Sequence, residues 1–148
     1  MENERVPSIQ QILKLLPHRF PFLLVDEITS FELQKKISGI KNISYNEWYF
    51  QGVPPVLRIV PASVLSEAIA QLGAMLILLE EENRGKLIFF LGLDRVRFRK
   101  PVQAGDVLKM TAEILRRKGR IGKLKVEARV DNRLVFEGIM QFALEAQS

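Results

Sequence analysis

Between residues 61 and 83 the chain carries apolar side chains that leave no polar stripe: Val64, Leu65, Ala68, Ile69, Ala70, Leu72, Ala74, Met75, Leu76, Ile77 and Leu79. At 3.6 residues per turn they cover almost the whole circumference of a helix, and a helix apolar all round has to be enclosed. Pro61 suits the first turn of such a helix, and Gly85 lies just past its end. The acidic residues from Glu80 onward predict that its last part emerges into solvent. The most apolar window, residues 68–79, holds 12 residues, well short of the roughly 20 that a membrane-spanning helix needs. The wrapping must therefore come from the protein itself.

The rest of the chain offers mostly strands to do it. Residues 23–32 and 35–44 read as strands, the second carrying Ile37, Ile40 and Ile43 with Gly39 as a bulge candidate. Residues 87–100 contain the alternation Arg95-Val96-Arg97-Phe98-Arg99, which predicts basic residues on one face and apolar ones on the other. Residues 101–106 form a turn, and 107–117, 123–130 and 134–144 are long strands joined through Lys118-Gly119-Arg120 and Asp131-Asn132-Arg133. A short helix precedes them all. Ser8 with Gln11 has the form of a capping box, Ile9, Ile12, Leu13 and Leu16 supply the apolar stripe, and Pro17 ends it. One buried helix wrapped by a long antiparallel sheet is an α+β layer arrangement. With 148 residues the chain has room for a single domain, 1–148. A single layer of sheet leaves part of such a helix bare, so pairing with a second copy is expected.

Composition narrows the chemistry. There is no cysteine, so thiolate nucleophiles and thiolate metal sites are excluded, and His18 is the only histidine, so a multi-histidine metal site within one chain is excluded too. Neither a cofactor nor a metal is expected. The N-terminal stretch is polar and mixed in charge, unlike a secretory signal, and a cytoplasmic location is expected with no membrane role. Residues 84–133 carry 15 basic and 5 acidic side chains, whereas the remainder is net acidic. Such a field favours an acidic partner. No helix-turn-helix, metal finger or RRM-like aromatic signature points to nucleic acid, which leaves an acidic protein, a phosphorylated carrier or a merely solvated surface.

Four segments carry a resemblance: LLPHRFPFLLVD (residues 15–26), NEWYFQG (46–52), SEAIAQ (66–71) and LGLDRVRFRKPVQAGD (91–106). Together they resemble the (3R)-3-hydroxyacyl-acyl-carrier-protein dehydratases of bacterial fatty-acid synthesis, along nearly the whole chain. The resemblance implies a hot-dog fold that dimerises and often forms trimers of dimers, acting on acyl thioesters of acyl carrier protein; coenzyme A thioesters are the other carrier class. In that family a histidine removes a proton from C2, a glutamate fourteen residues later helps the C3 hydroxyl leave, and backbone N–H groups at the start of the central helix hold the thioester oxygen. Here Val53 occupies the histidine position and Glu67 the glutamate position. The family's two glycines are Val56 and Ala62, while Pro55 and Pro61 are kept.

Valine has no lone pair, so it cannot act as a general base, and such a group is typically worth about 10²–10⁴ in rate. Ala62 still offers its N–H. Val56 resists any positive-φ turn that glycine served, which predicts a rebuilt loop. His18 falls where the family has a histidine other than the catalytic one; of a structural and a catalytic role, a structural bond to a backbone group near the first helix is the one expected of it. Glu67 has two readings. It is either an inherited buried pair with Gln71, one turn on, or a carboxylate of raised pKa facing a thioester pocket. Ala62, Gln71, Val56 and Pro61 are the expected substrate neighbours. Arg95, Arg97, Arg99 and Lys100 are the expected carrier-binding face.

Three functions stay open at this point. One is a dehydratase-family enzyme in which the histidine's work is absent, weak or replaced. Another is a non-catalytic thioester-binding subunit, including one that pairs with a histidine-bearing paralogue, since the family's sites take histidine and glutamate from different subunits. The third is a thioesterase using Glu67.

Overall fold

The computed structural model describes residues 5–146; the first four residues of the N-terminal stretch lie outside it. The helix at the centre is α2, Ala62–Leu78, and 13 of its 17 residues are buried. Enclosing a Leu, Ile or Met side chain contributes about 1.5–3 kcal/mol over leaving it exposed, so this helix is stable only inside its wrapping. The wrapping is one antiparallel sheet of six strands: β1 (Glu27–Glu32), β2 (Lys36–Asn42), β3 (Ile88–Phe98), β4 (Val107–Lys118), β5 (Ile121–Val130) and β6 (Arg133–Leu144). Their spatial order is β1-β2-β4-β5-β6-β3, which places β3 at one edge. Alternate residues of the central strands point at the helix: Leu108, Met110 and Ala112 on β4, Leu124, Val126 and Ala128 on β5, Phe136, Met140 and Phe142 on β6. This is the helix-in-sheet arrangement that the sequence predicts. No helix among the described residues is long and apolar enough to cross a membrane.

Close approach of helix to sheet requires a residue without a side chain. A Cβ on Gly73 would sit 2.7 Å from Leu124 Cδ1, and one on Gly39 would sit 2.8 Å from both Leu72 Cδ1 and the Glu27 carbonyl. Gly39 is therefore a packing contact, not a bulge. The register shift falls on the neighbouring strand, between Ile28 and Ser30 of β1.

Other boundaries move for identifiable reasons. The first helix, α1 (Ile9–Leu15), has the capping box in full, with Ser8 N donating to Gln11 Oε1 at 2.9 Å and Gln11 N to Ser8 Oγ at 3.4 Å. Of its expected stripe Ile12 and Leu16 are buried, while Ile9 stays half exposed. β1 starts at Glu27, not at residue 23, because the Leu24 N–H is taken by the side chain of Gln71. The acidic end of the central helix emerges only in part. α2 stops at Leu78 and a 3-10 turn, Glu81–Asn83, carries Glu81 and Glu82 exposed, but Glu80 is 3% exposed and its carboxylate is bonded by Arg117 of β4. Asn83, also buried, donates from Nδ2 to the Ile77 carbonyl at 3.1 Å and satisfies the helix end.

Candidate active site

The approach to α2 runs through two short 3-10 turns, Trp48–Phe50 and Pro55–Leu57. Pro61 is the N-cap, with no side-chain cap bond, so the first N–H groups of the helix, beginning with Ala62, have no partner within it. Val56 lies inside the second 3-10 turn and is 87% exposed. Its backbone is not in the positive-φ region, so this turn makes no demand that only glycine could meet. Main-chain pairing to the turn after β3 holds the loop: Val60 N donates to Val102 O at 2.8 Å and Ala104 N to Arg58 O at 3.2 Å. Arg58 braces it from the side, Nε to Val53 O at 3.1 Å and Nη1 to Tyr45 O at 3.1 Å. Nothing in the residue pattern marked Arg58 for that work.

Glu67 stands on the other side of the helix start, in a separate hollow. A cavity of about 210 Å³ is lined by Glu67, Gln71, His18, Ala70, Ala74, Leu78, Ile88 and Phe90 with Leu16, Pro17, Lys86 and Leu87. The residues of the approach loop do not line it. Pro61 and Ala62 instead line a second hollow with Arg99 and Lys100. Within one chain, then, the structure brings together Glu67 and Gln71 and separates them from Val53, Val56, Pro61 and Ala62.

Gln71 organises the pocket. It is 1% exposed. Its Nε2 donates to Glu67 Oε1 at 2.9 Å and to the Phe22 carbonyl at 2.8 Å, and its Oε1 accepts from Leu24 N at 2.8 Å. A buried amide with every such bond made is far cheaper to keep than to break. These bonds tie the segment after α1 to the helix and so deliver His18 to Glu67. The imidazole Nε2 lies 3.4 Å from Glu67 Oε1, with the two side chains 30% and 31% exposed. His18 therefore departs from the expected backbone bond. Arg19 does that work, Nη1 to Leu16 O at 2.8 Å and Nη2 to Leu13 O at 2.7 Å. His18 Nδ1 is buried with no hydrogen-bond partner among the described residues. Aromatic rings continue from His18 through Phe22 and Trp48 to Tyr49 at centroid separations of 6.0, 6.3 and 5.3 Å. Burial pushes the Tyr49 phenol above its ordinary pKa, with Glu47 and Asp26 adding to the effect.

The basic face is less regular than its alternation suggests. β3 has a register shift between Asp94 and Arg97, and Arg95 takes a φ of 51°, so Arg95 falls out of phase with Arg97. Arg99 is not free: its Nη2 meets Glu137 Oε1 at 2.7 Å. That hydrogen bond holds the Glu137 carboxyl below the usual carboxylate range. Phe98, expected inward, is 47% exposed while its ring packs edge-on to Phe136.

Comparison with known proteins bears on the family and the fold. Residues 16–139 match the FabA-like domain model. The 3-hydroxyacyl-[acyl-carrier-protein] dehydratase FabZ of Anoxybacillus flavithermus is 51% identical over 137 residues, 93% of this chain and 96% of that protein. The FabZ of Caldicellulosiruptor bescii is 48% identical, over 93% of this chain and 99% of its own. Among solved structures, the dehydratase heterocomplex ApeI:P of Xenorhabdus doucetiae superposes with a TM-score of 0.77 at 16% identity, covering 92% of this chain and 91% of that one. A thioesterase protein with coenzyme A from Streptococcus pneumoniae gives 0.64 at 13% identity, over 82% and 86%. These two share the fold; the family follows from the match across residues 16–139 and the near-half identity to the FabZ proteins, and the chain belongs to the FabA-like family of hot-dog proteins, alongside the FabZ-type 3-hydroxyacyl-[acyl-carrier-protein] dehydratases.

Proposed function

We propose that this chain binds (3R)-3-hydroxyacyl thioesters of acyl carrier protein in fatty-acid biosynthesis and takes part in their dehydration at the Glu67 pocket. The observation that carries the reading is a carboxylate held by the buried Gln71 at the rim of a cavity with apolar walls. Such a wall suits an acyl chain, and the carboxyl group suits a leaving hydroxyl. Ala62 keeps a helix-start N–H, but it lines the separate hollow beside Lys100, so it would receive the thioester oxygen of a Glu67 pocket only across a subunit boundary. Val53 contributes no proton acceptor.

The same reading includes a homodimer, or a trimer of such dimers. β3 is an edge strand, and Phe89, Leu91 and Leu93 on it are 52%, 57% and 50% exposed. An apolar edge of that kind calls for a partner. Of the basic face only Arg99 is in an ion pair among the described residues; with Arg95 out of phase, Arg97 and Lys100 fit an acidic carrier. The partner subunit could equally be a histidine-bearing paralogue; the fold recurs in a dehydratase heterocomplex.

The test is to mix purified protein with a 3-hydroxyacyl carrier thioester and follow enoyl product and free thiol separately. Enoyl product is expected. Free thiol without enoyl product would transfer Glu67 to thioester hydrolysis, and neither product with tight binding would leave a binding subunit.

A further inference from the structure

His18 is the one imidazole of the chain, and its ring makes no backbone hydrogen bond among the described residues. Arg19 makes the backbone bonds that finish α1. Nδ1 of His18 has no partner among them, while Nε2 faces Glu67 at 3.4 Å across the rim of the same cavity. The other titratable side chain lining that cavity is Lys86, a cation beside Leu87. An imidazole and a carboxyl group open to one apolar pocket are the two proton-handling groups that dehydration of a 3-hydroxyacyl thioester requires.

We infer that His18 is the general base of this site, supplied within the same chain as Glu67, in place of the histidine that Val53 lacks. The inference rests on the thioester reading above. Nε2 takes the proton from C2, and the electrons of the C2–H bond form the C2=C3 double bond. The C3–O bond breaks, and the hydroxyl leaves as water with the proton of the Glu67 carboxyl. An imidazolium then stands beside a carboxylate at 3.4 Å, and proton return from Nε2 to Oε1 resets both groups. No other reactant is consumed. Gln71, which bonds both Glu67 and the Phe22 carbonyl, is the positioning residue of the pair.

The experiment uses the purified homo-oligomer with a 3-hydroxyacyl pantetheine thioester, and measures binding separately with the unreactive amide analogue. Wild type should form enoyl product. His18→Gln, which keeps a polar side chain but no base, should bind the analogue as wild type does and lose about 10²–10⁴-fold in kcat. In His18→Gly, added free imidazole should restore part of the rate, a response that a merely structural role would not give. The inference is overturned if His18→Gln keeps the wild-type kcat, or if wild type binds the analogue but forms product only when a histidine-bearing paralogue is added. Failure of wild type to bind the analogue would instead overturn the thioester reading, and the inference with it.

Discussion

The loop entering α2 and the pocket beside Glu67 are built on the same helix and held in opposite ways. In the loop, Val56, Leu57 and Ile59 are 87%, 60% and 46% exposed, and order comes from main-chain bonds and from Arg58 gripping the Val53 carbonyl. Those bonds are indifferent to which side chain stands at 53, 56 or 62. In the pocket, one buried amide satisfies a backbone N–H, a backbone carbonyl and a carboxylate at once. Change any partner there and a buried polar group is stranded, at about 1–3 kcal/mol. The difference explains where the chain departs from the dehydratase motif and where it keeps it. The departures, Val53, Val56 and Ala62, all lie where side chains carry little packing.

The largest effect expected from this contrast is a transplant of base from one region to the other. In a His18→Gln background, Val53→His with Val56→Gly and Ala62→Gly should raise enoyl formation by up to about 10²–10⁴-fold. Val53→His alone should give less, because misplacement by about 1 Å can forfeit roughly 10². Rate measurements on the purified variants check this, and adding Glu67→Gln to the best one should abolish the gain.

Stability should show the contrast next. Gln71→Leu strands the Leu24 N–H and the Phe22 carbonyl and should cost about 2–5 kcal/mol in urea unfolding. Val56→Ser, at an exposed site, should stay within about 0.5 kcal/mol. Equal losses would mean that the loop is packed as tightly as the pocket.

Much of this was legible in the sequence. The all-round apolar run from Val64 announced an enclosed helix because burial is a local property of each face. The capping box at Ser8 was equally local. What escaped was contact between distant residues. Gln71 reaches Phe22 across 49 positions, and nothing in the spacing of His18 says that this bond will bring it to Glu67. Glu80 looked like a solvated end because Arg117, its partner, stands on a strand 37 residues away. The basic alternation failed for a backbone reason: the register shift after Asp94 breaks the period of two on which the reading of β3 relied.

Smaller effects belong to that basic strand. Arg97→Glu with Lys100→Glu should weaken carrier binding and flatten its salt dependence, measured by titration at low and moderate salt. Arg99→Glu should act mainly through Glu137. The Arg99 guanidinium holds that carboxyl below its unfolded range, so its contribution is complete above the ordinary carboxylate pKa and is lost as pH falls through the lower folded value. Arg99→Gln should therefore lower stability slightly at neutral pH, leave it unchanged at pH values where Glu137 is protonated in both states, and so make the acid limb shallower.

The most direct measurement is a crystal structure of the protein with a 3-hydroxyacyl pantetheine amide bound. The acyl chain should lie along Ala70 and Ala74, with the C3 hydroxyl within about 2.6–3.2 Å of a Glu67 carboxylate oxygen and C2 facing His18 Nε2. An analogue seated with its C3 hydroxyl remote from Glu67, for instance in the hollow between Ala62 and Lys100, would contradict a dehydration site built on the Glu67 pocket.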